Sequence, residues 1–220
     1  MTILLQADKL GMRFGAHVLF SQLSFAFGMG AVALVGANGA GKSTLLSLLC
    51  GGVAPQEGRI AIDGHDMQRA GAAARAALAW APDESVAYDF MTGDEFLRMV
   101  QALRGCAGPQ PALLEGLGID VFLGARFGAM SLGTRKKFML ASALMGDARV
   151  VLMDEPTNGI DARARAFLIG CILIELQTRL VLFSTHDREL IVATGARLLD
   201  LSASAPAEDE TMAASAAIDA

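Results

Sequence analysis

The sequence predicts an α/β fold: a largely parallel sheet, a small antiparallel β-subdomain at the start of the chain, and a helical lobe inserted midway. Three observations predict it. Short segments at 31–35, 149–153 and 180–184, apolar but for Arg149 and Ser184 at their ends, alternate with segments of helical pattern, the arrangement of strands buried on both faces of a parallel sheet. The first 27 residues instead alternate apolar stretches with turn signals at Gly11 and Gly15, which marks antiparallel strands. Between Asp83 and about Phe127 the pattern turns into helical pieces broken by Gly105, Gly108, Pro109 and Pro111.

Taken in order, residues 3–27 form the antiparallel strands and 31–35 a buried strand, followed by a helix from Lys42. Residues 58–64 alternate between two glycines as a strand, and 77–81 form a short strand that Pro82 ends. The lobe occupies about 83–146, with a helix over 133–144 at its close. A strand at 149–153, a helix at 162–176, a strand at 180–184 and a last strand at 197–201 complete one domain over 1–201. Residues 202–220 are rich in Ala, Ser and acids, too poor in apolar residues to pack, and are expected to be disordered.

At 220 residues the chain is long for one ordinary domain and short for two, so one core with an insertion is expected. It has 23 acidic and 18 basic residues, and four of the acids lie in the tail, leaving a nearly neutral body. That balance argues against attachment to nucleic acid by bulk charge. Cys50, Cys106 and Cys171 show no C-x-x-C spacing and read as small core hydrophobes of a reducing compartment. No basic segment followed by an apolar block opens the chain, and the longest candidate run, 167–174, is closed by Glu175. It is far short of the roughly 20 residues that span a bilayer. The chain is therefore expected to be soluble on its own, with an apolar surplus that a partner could cover.

The most specific motif is Gly36-Ala37-Asn38-Gly39-Ala40-Gly41-Lys42-Ser43-Thr44, between a buried strand and a helix. It has the G-x-x-x-x-G-K-[ST] pattern, in which backbone N–H groups turn inward around an anion at a positive helix end. The fold is thus a P-loop NTPase core, with Lys42 reaching the β- and γ-phosphates and the Ser43 hydroxyl holding Mg²⁺. A second segment, residues 150–155, is an apolar strand ending in Asp154 and Glu155. Asp154 suits Mg²⁺, and Glu155 suits activation of the water that attacks the γ-phosphate. By themselves two acids at a strand end are more often a solvated terminus than a catalytic pair.

With Pro156-Thr157-Asn158-Gly159-Ile160-Asp161 after the acids, and Ser184-Thr185-His186-Asp187 after a later strand, the chain resembles the ATP-binding-cassette (ABC) ATPases that power membrane transporters. The resemblance runs from Leu4 to Leu201. It implies ATP and Mg²⁺ as cofactors and makes 158–161 a dimer-contact loop. It also implies that His186 senses the γ-phosphate, where a structural hydrogen-bonding role is the alternative for such a histidine. Phe14 falls where the family carries an aromatic that stacks on adenine; a core phenylalanine is the other reading. Met130-Ser131-Leu132-Gly133-Thr134 matches the family's Leu-Ser-Gly-Gly-Gln loop, whose serine and glycine complete the site of the opposite subunit. Leu132 and Thr134 depart from it, and Ser131 could also be a plain helix cap.

At Pro82-Asp83 the family usually has a glutamine that touches Mg²⁺ and the attacking water; the carboxylate of Asp83 can accept but not donate a hydrogen bond. The resemblance implies a homodimer, or a heterodimer with another ABC ATPase. It further implies an integral membrane permease as partner, a place on the cytoplasmic face of the membrane, and an exporter role suggested by the variant loop. A soluble ABC-type ATPase acting in cofactor assembly is the alternative. A phosphate-loop kinase would leave the segments at 131–137 and 158–161 without a purpose.

Overall fold

The computed structural model describes residues 2–204. Two sheets organise them. The first is antiparallel: β1 (Leu5–Phe14) lies between β2 (His17–Phe27) and β4 (Glu57–Ile62), with the two-residue β5 (His65–Asp66) at its edge. The second is parallel, in the order β6 (Leu78–Ala81), β7 (Val150–Asp154), β8 (Leu180–Ser184), β3 (Gly30–Val35) and β9 (Arg197–Asp200). Residues Trp80, Leu152, Leu182, Val32 and Arg197 form one row across it.

Side chains alternate between the faces of a strand, and here each face has its own core. Val151, Met153, Val181 and Phe183 pack with the helical side. Val150, Leu152, Leu180 and Leu182 pack with α1 (Lys42–Leu49) and the antiparallel sheet. Every residue of β7 and β8 is consequently buried, which is why their sequences are unbroken apolar runs ending in a single polar residue.

The lobe holds α3 (Gly93–Arg104), α4 (Pro111–Leu117) and two short 3-10 turns, then α5 (Leu132–Leu144), which runs from the lobe onto β6 and β7. Thr92 opens α3 with a reciprocal capping box to Glu95, and Pro111 opens α4 at the position where its missing N–H is no loss. Phe127 joins the lobe's layers, with its ring centroid 5.3 Å from Phe96 and 5.5 Å from Phe138. On the same side of the sheet, α6 (Ala162–Glu175) starts from an Asp161 cap.

Two helices and a strand are additional to the sequence expectation: α2 (Gly71–Ala76), α7 (Arg188–Thr194) and β5. The last strand ends at Asp200, one residue short of the expected bound, and a 3-10 turn over Leu201–Ser204 takes in the buried Leu201 and the first residues of the expected tail; the rest of that tail lies outside the described residues. The cysteines are free but half-buried rather than core residues, because each sits at the edge of its packing layer. Burial, and Glu175 beside it, push the Cys171 thiol up to about 11, so it is protonated and unreactive at neutral pH.

Candidate functional site

A parallel sheet places its binding residues at the carboxyl ends of its strands, and three such ends meet here. From β3 the chain enters the glycine loop, where Gly36, Gly39 and Gly41 take φ values of 150°, 84° and 93°. Gly41 is left-handed at the N-cap of α1, so the turn into the helix uses a conformation open to glycine. The Lys42 ammonium folds back, donating to the carbonyls of Gly36 (2.8 Å) and Ala37 (3.2 Å) and lying 3.2 Å from His186 Nε2. The motif alone suggests a solvent-facing lysine, yet the residue is only 8% exposed. The loop's own carbonyls close over it.

The ends of β7 and β8 lie in register, pairing Asp154 with Ser184. The Ser184 hydroxyl donates to Asp154 Oδ1 at 2.5 Å and accepts from the Glu155 N–H at 2.9 Å. Glu155 itself is left-handed, with φ 44°. Its Oε1 lies 3.6 Å from His186 Nε2. Lys42, Asp154, Glu155 and His186, together with Phe14, Asn38, Gly39, Gly41, Ser43, Thr44 and Asp83, line one open cavity of about 800 Å³, with Ser184 buried beneath them. Phe14 stands at its rim with 58% of its surface exposed, so it is not a core residue. Gly36 and Ala37 touch the site through Lys42, and Ala40 closes the loop by donating its N–H to the Ala37 carbonyl (3.1 Å).

Ser131 and Gly133 are not in this cavity. Ser131 caps α5, accepting from the Thr134 N–H at 3.1 Å. Leu132 is 84% exposed, so a leucine is accommodated where the family has glycine. Gly133 has no such freedom: a Cβ there would sit 2.5 Å from the Gly159 carbonyl oxygen. The loop at 131–134 therefore rests directly on the turn after β7.

Asp187 ties that turn to the one after β8, accepting from Thr157 Oγ1 (3.0 Å) and from Arg165, while its own Oδ1 caps α7. Burial works against its charge, but the Leu190 N–H, the Thr157 hydroxyl and Arg165 hold its carboxyl below the usual range. Asp161 is held lower, at about 2, by the Lys137 ammonium and then by the Ala164 N–H.

Sequence reasoning assigned no role to Lys136 or Ser184. Lys136 is 5% exposed, and its ammonium donates to Asp83 Oδ1 and to the main-chain carbonyl of Glu155. The available signal was an acid at 83 and a run of cations at 135–137. For Ser184 it was a polar residue closing an apolar strand. Among the described residues no three His, Cys, Asp or Glu side chains converge as a metal site.

Comparison with known proteins gives a consistent picture. A family model described as ABC transporter matches residues 20–158, and a shorter AAA-domain model matches 124–193. The chain is 34% identical over 171 residues, 75% of its length, to ATP-binding cassette sub-family A member 7 of Mus musculus. It is 31% identical to the retinal-specific phospholipid-transporting ATPase ABCA4 of Homo sapiens over 74% of its length. The chain spans 8% of the length of each of these relatives. Among solved structures, an ATP-binding subunit of an ABC transporter superposes with a TM-score of 0.83 at 26% identity, covering 90% of this chain and 85% of the other. A bacterial Atm1-family ABC exporter with ATP bound superposes with a TM-score of 0.74 at 25% identity, covering 90% and 37%.

Proposed function

The chain is an ATPase domain of the ABC transporter family, and on that premise we propose that it binds and hydrolyses ATP to power an exporter. The observation that carries this reading is the convergence of the glycine loop, the Asp154–Glu155 strand end and His186 around one cavity. In the proposed reaction Phe14 stacks on the adenine, and the N–H groups of residues 36–44 with Lys42 take the phosphates. Lys42 exchanges its contacts to the loop carbonyls for phosphate oxygens. Glu155 accepts a proton from the attacking water, and His186, within reach of both Lys42 and Glu155, lies against the γ-phosphate.

One carboxylate and one hydroxyl, Asp154 and Ser43, fit Mg²⁺, which takes few protein ligands and completes its shell with phosphate oxygens and water. When bound, it would neutralise charge on the transferring phosphate.

The proposed assembly is a dimer in which Ser131 and Gly133 of one chain complete the site of the other; their position outside the chain's own cavity supports this. A membrane permease is the proposed partner, with the cassette on the cytoplasmic face. Among the described residues no helix is long and apolar enough to cross a membrane. Val86, Tyr88 and Phe90, exposed at the start of the lobe with the two rings stacked 5.3 Å apart, suit contact with an apolar partner surface. Relatives named as phospholipid-transporting support a transport role, and a neighbour named as an exporter supports the outward direction.

The test is complementation. Lys42→Ala and Ser131→Arg chains should each lack ATPase activity, and mixing them should restore part of it, since one of the two sites in the heterodimer keeps both intact halves. Absence of recovery in demonstrated heterodimers would refute the composite site, and full activity of Lys42→Ala alone would refute the phosphate-loop assignment.

A further inference from the structure

Glu155 is the one non-glycine residue among those described at the site whose backbone is in a region that L side chains rarely adopt. A left-handed non-glycine residue persists only where its surroundings hold it there, and both ends of the residue are held. Its N–H is fixed on Ser184 Oγ at 2.9 Å, and Ser184 is anchored in turn on Asp154. Its carbonyl accepts from the Asn158 N–H at 3.0 Å, closing a turn, and from the Lys136 ammonium. With the N–H anchored, φ decides where Cβ points, and so whether the carboxylate reaches the cavity.

Lys136 has little freedom to serve anything else. Its side chain is 6% exposed and comes from the second turn of α5, directly after the loop at 131–134. Its other partner is Asp83, between β6 and α3. One ammonium thus joins α5 to the two segments that leave the carboxyl ends of β6 and β7, and it offsets the negative charge that Asp83 brings to the cavity wall. A lysine ammonium has three donors and no acceptor, so it can hold a carbonyl and a carboxylate at once.

We infer that Lys136 is a positioning residue for hydrolysis: it holds the main chain of Glu155 in the left-handed conformation that aims the carboxylate at the cavity, and Asp83 keeps the ammonium in place. This rests on the reading of Glu155 as the group that activates water. It assigns Asp83 a task that its usual glutamine counterpart could not share with a lysine in the same way, since only a carboxylate supplies the opposing charge.

The test compares Lys136→Met, which keeps the unbranched stem and removes the ammonium, with Lys136→Arg, Glu155→Gln and the double variant Lys136→Met/Asp83→Asn. The last removes the acid left unpaired by the first, so it serves where Lys136→Met alone folds poorly. ATP turnover, ADP affinity and thermal midpoint are measured on each. Lys136→Met should lower kcat at least about tenfold, because a misplacement of about 1 Å at a reacting group costs up to about 100-fold, while ADP affinity stays within about threefold of the original. Lys136→Arg should recover most of the turnover. The double variant should regain the thermal midpoint without regaining kcat.

If Glu155→Gln is inactive but Lys136→Met turns over normally, the positioning role is wrong and the water-activating role of Glu155 stands. If the double variant regains kcat together with stability, Lys136 is only a structural ion-pair partner and the inference fails. If Glu155→Gln turns over at the original rate, the base assignment falls, and the inference with it.

Discussion

Replacing Gly133 by alanine adds a single methyl group at the point where the loop at 131–134 meets the turn after β7. The new carbon would lie 2.5 Å from the Gly159 carbonyl oxygen, whereas close C···O contacts in proteins run at about 3.3–3.6 Å. One backbone must therefore retreat by almost 1 Å. Neither side yields freely. Gly133 is in the first turn of α5, pinned by the Ser131 cap. Gly159 sits at φ 73°, one residue after the Asn158 N–H that donates to Glu155. Overpacking of this kind costs about 1–3 kcal/mol. In a helix without the clash, the same substitution would stabilise by about 0.4–1 kcal/mol, so the sign alone decides. For a domain of 150–250 residues the expected fall in Tm is about 2–12 °C. Calorimetry on Gly133→Ala, with Leu132→Ala as a control expected within about 0.5 kcal/mol of the original, makes the measurement. A Gly133→Ala chain that melts at or above the original temperature would show that the two loops do not touch.

Phe14→Ala should weaken ATP binding by about 1–3 kcal/mol, roughly 5–150-fold in Kd, if the exposed ring stacks on the base. Binding of tripolyphosphate, which has no base, should be unchanged, and an equal loss for both ligands would refute stacking. Asp161 carries a carboxyl at about 2 against an ordinary 3.8. Because the folded value is depressed, its contribution to stability is complete above about pH 4 and disappears as pH falls towards 2. Asp161→Asn, which retains the cap on Ala164, should thus differ from the original protein at pH 5 and converge with it near pH 2 in urea unfolding. Asp161→Ala should lose a further ~1 kcal/mol from the cap, and a difference between Asn and the original that persists at pH 2 would remove Lys137 from the account.

The main strands and large helices were legible because each face of the parallel sheet is covered. Burial of β7 and β8 on both sides leaves wholly apolar runs, and the expected bounds at 180–184 coincide with the observed strand. The helix expected at 133–144 begins one residue earlier, at Leu132, since Ser131 takes the cap. What escaped notice has little pattern to give. In α2 only Ala74 is buried, in α7 only Leu190 and Thr194, and β5 is two residues long. None contains enough buried positions to define a period. In the cavity, the residues of the glycine loop and the acidic strand end were readable from local spacing, because one strand-to-helix turn fixes their geometry. The link from Lys136 to Asp83 and Glu155 joins positions far apart in the chain, and no local spacing encodes it. The burial of Lys42 likewise depends on carbonyls that only the folded loop turns inward.

The strand order of the parallel sheet also sets a timetable for synthesis. β3, which leads into the phosphate-binding loop, has as its neighbours β8 and β9, and Val32 finds its partner only in Leu182 and Arg197. The β1–β2 hairpin can close as soon as it leaves the ribosome, but β3 must wait for some 150 more residues. At about 5–20 residues per second that is a delay of roughly 7–30 s. Throughout it, the apolar segment 31–34 has no sheet to enter, and the ATP site cannot exist before the last fifth of the domain has been made.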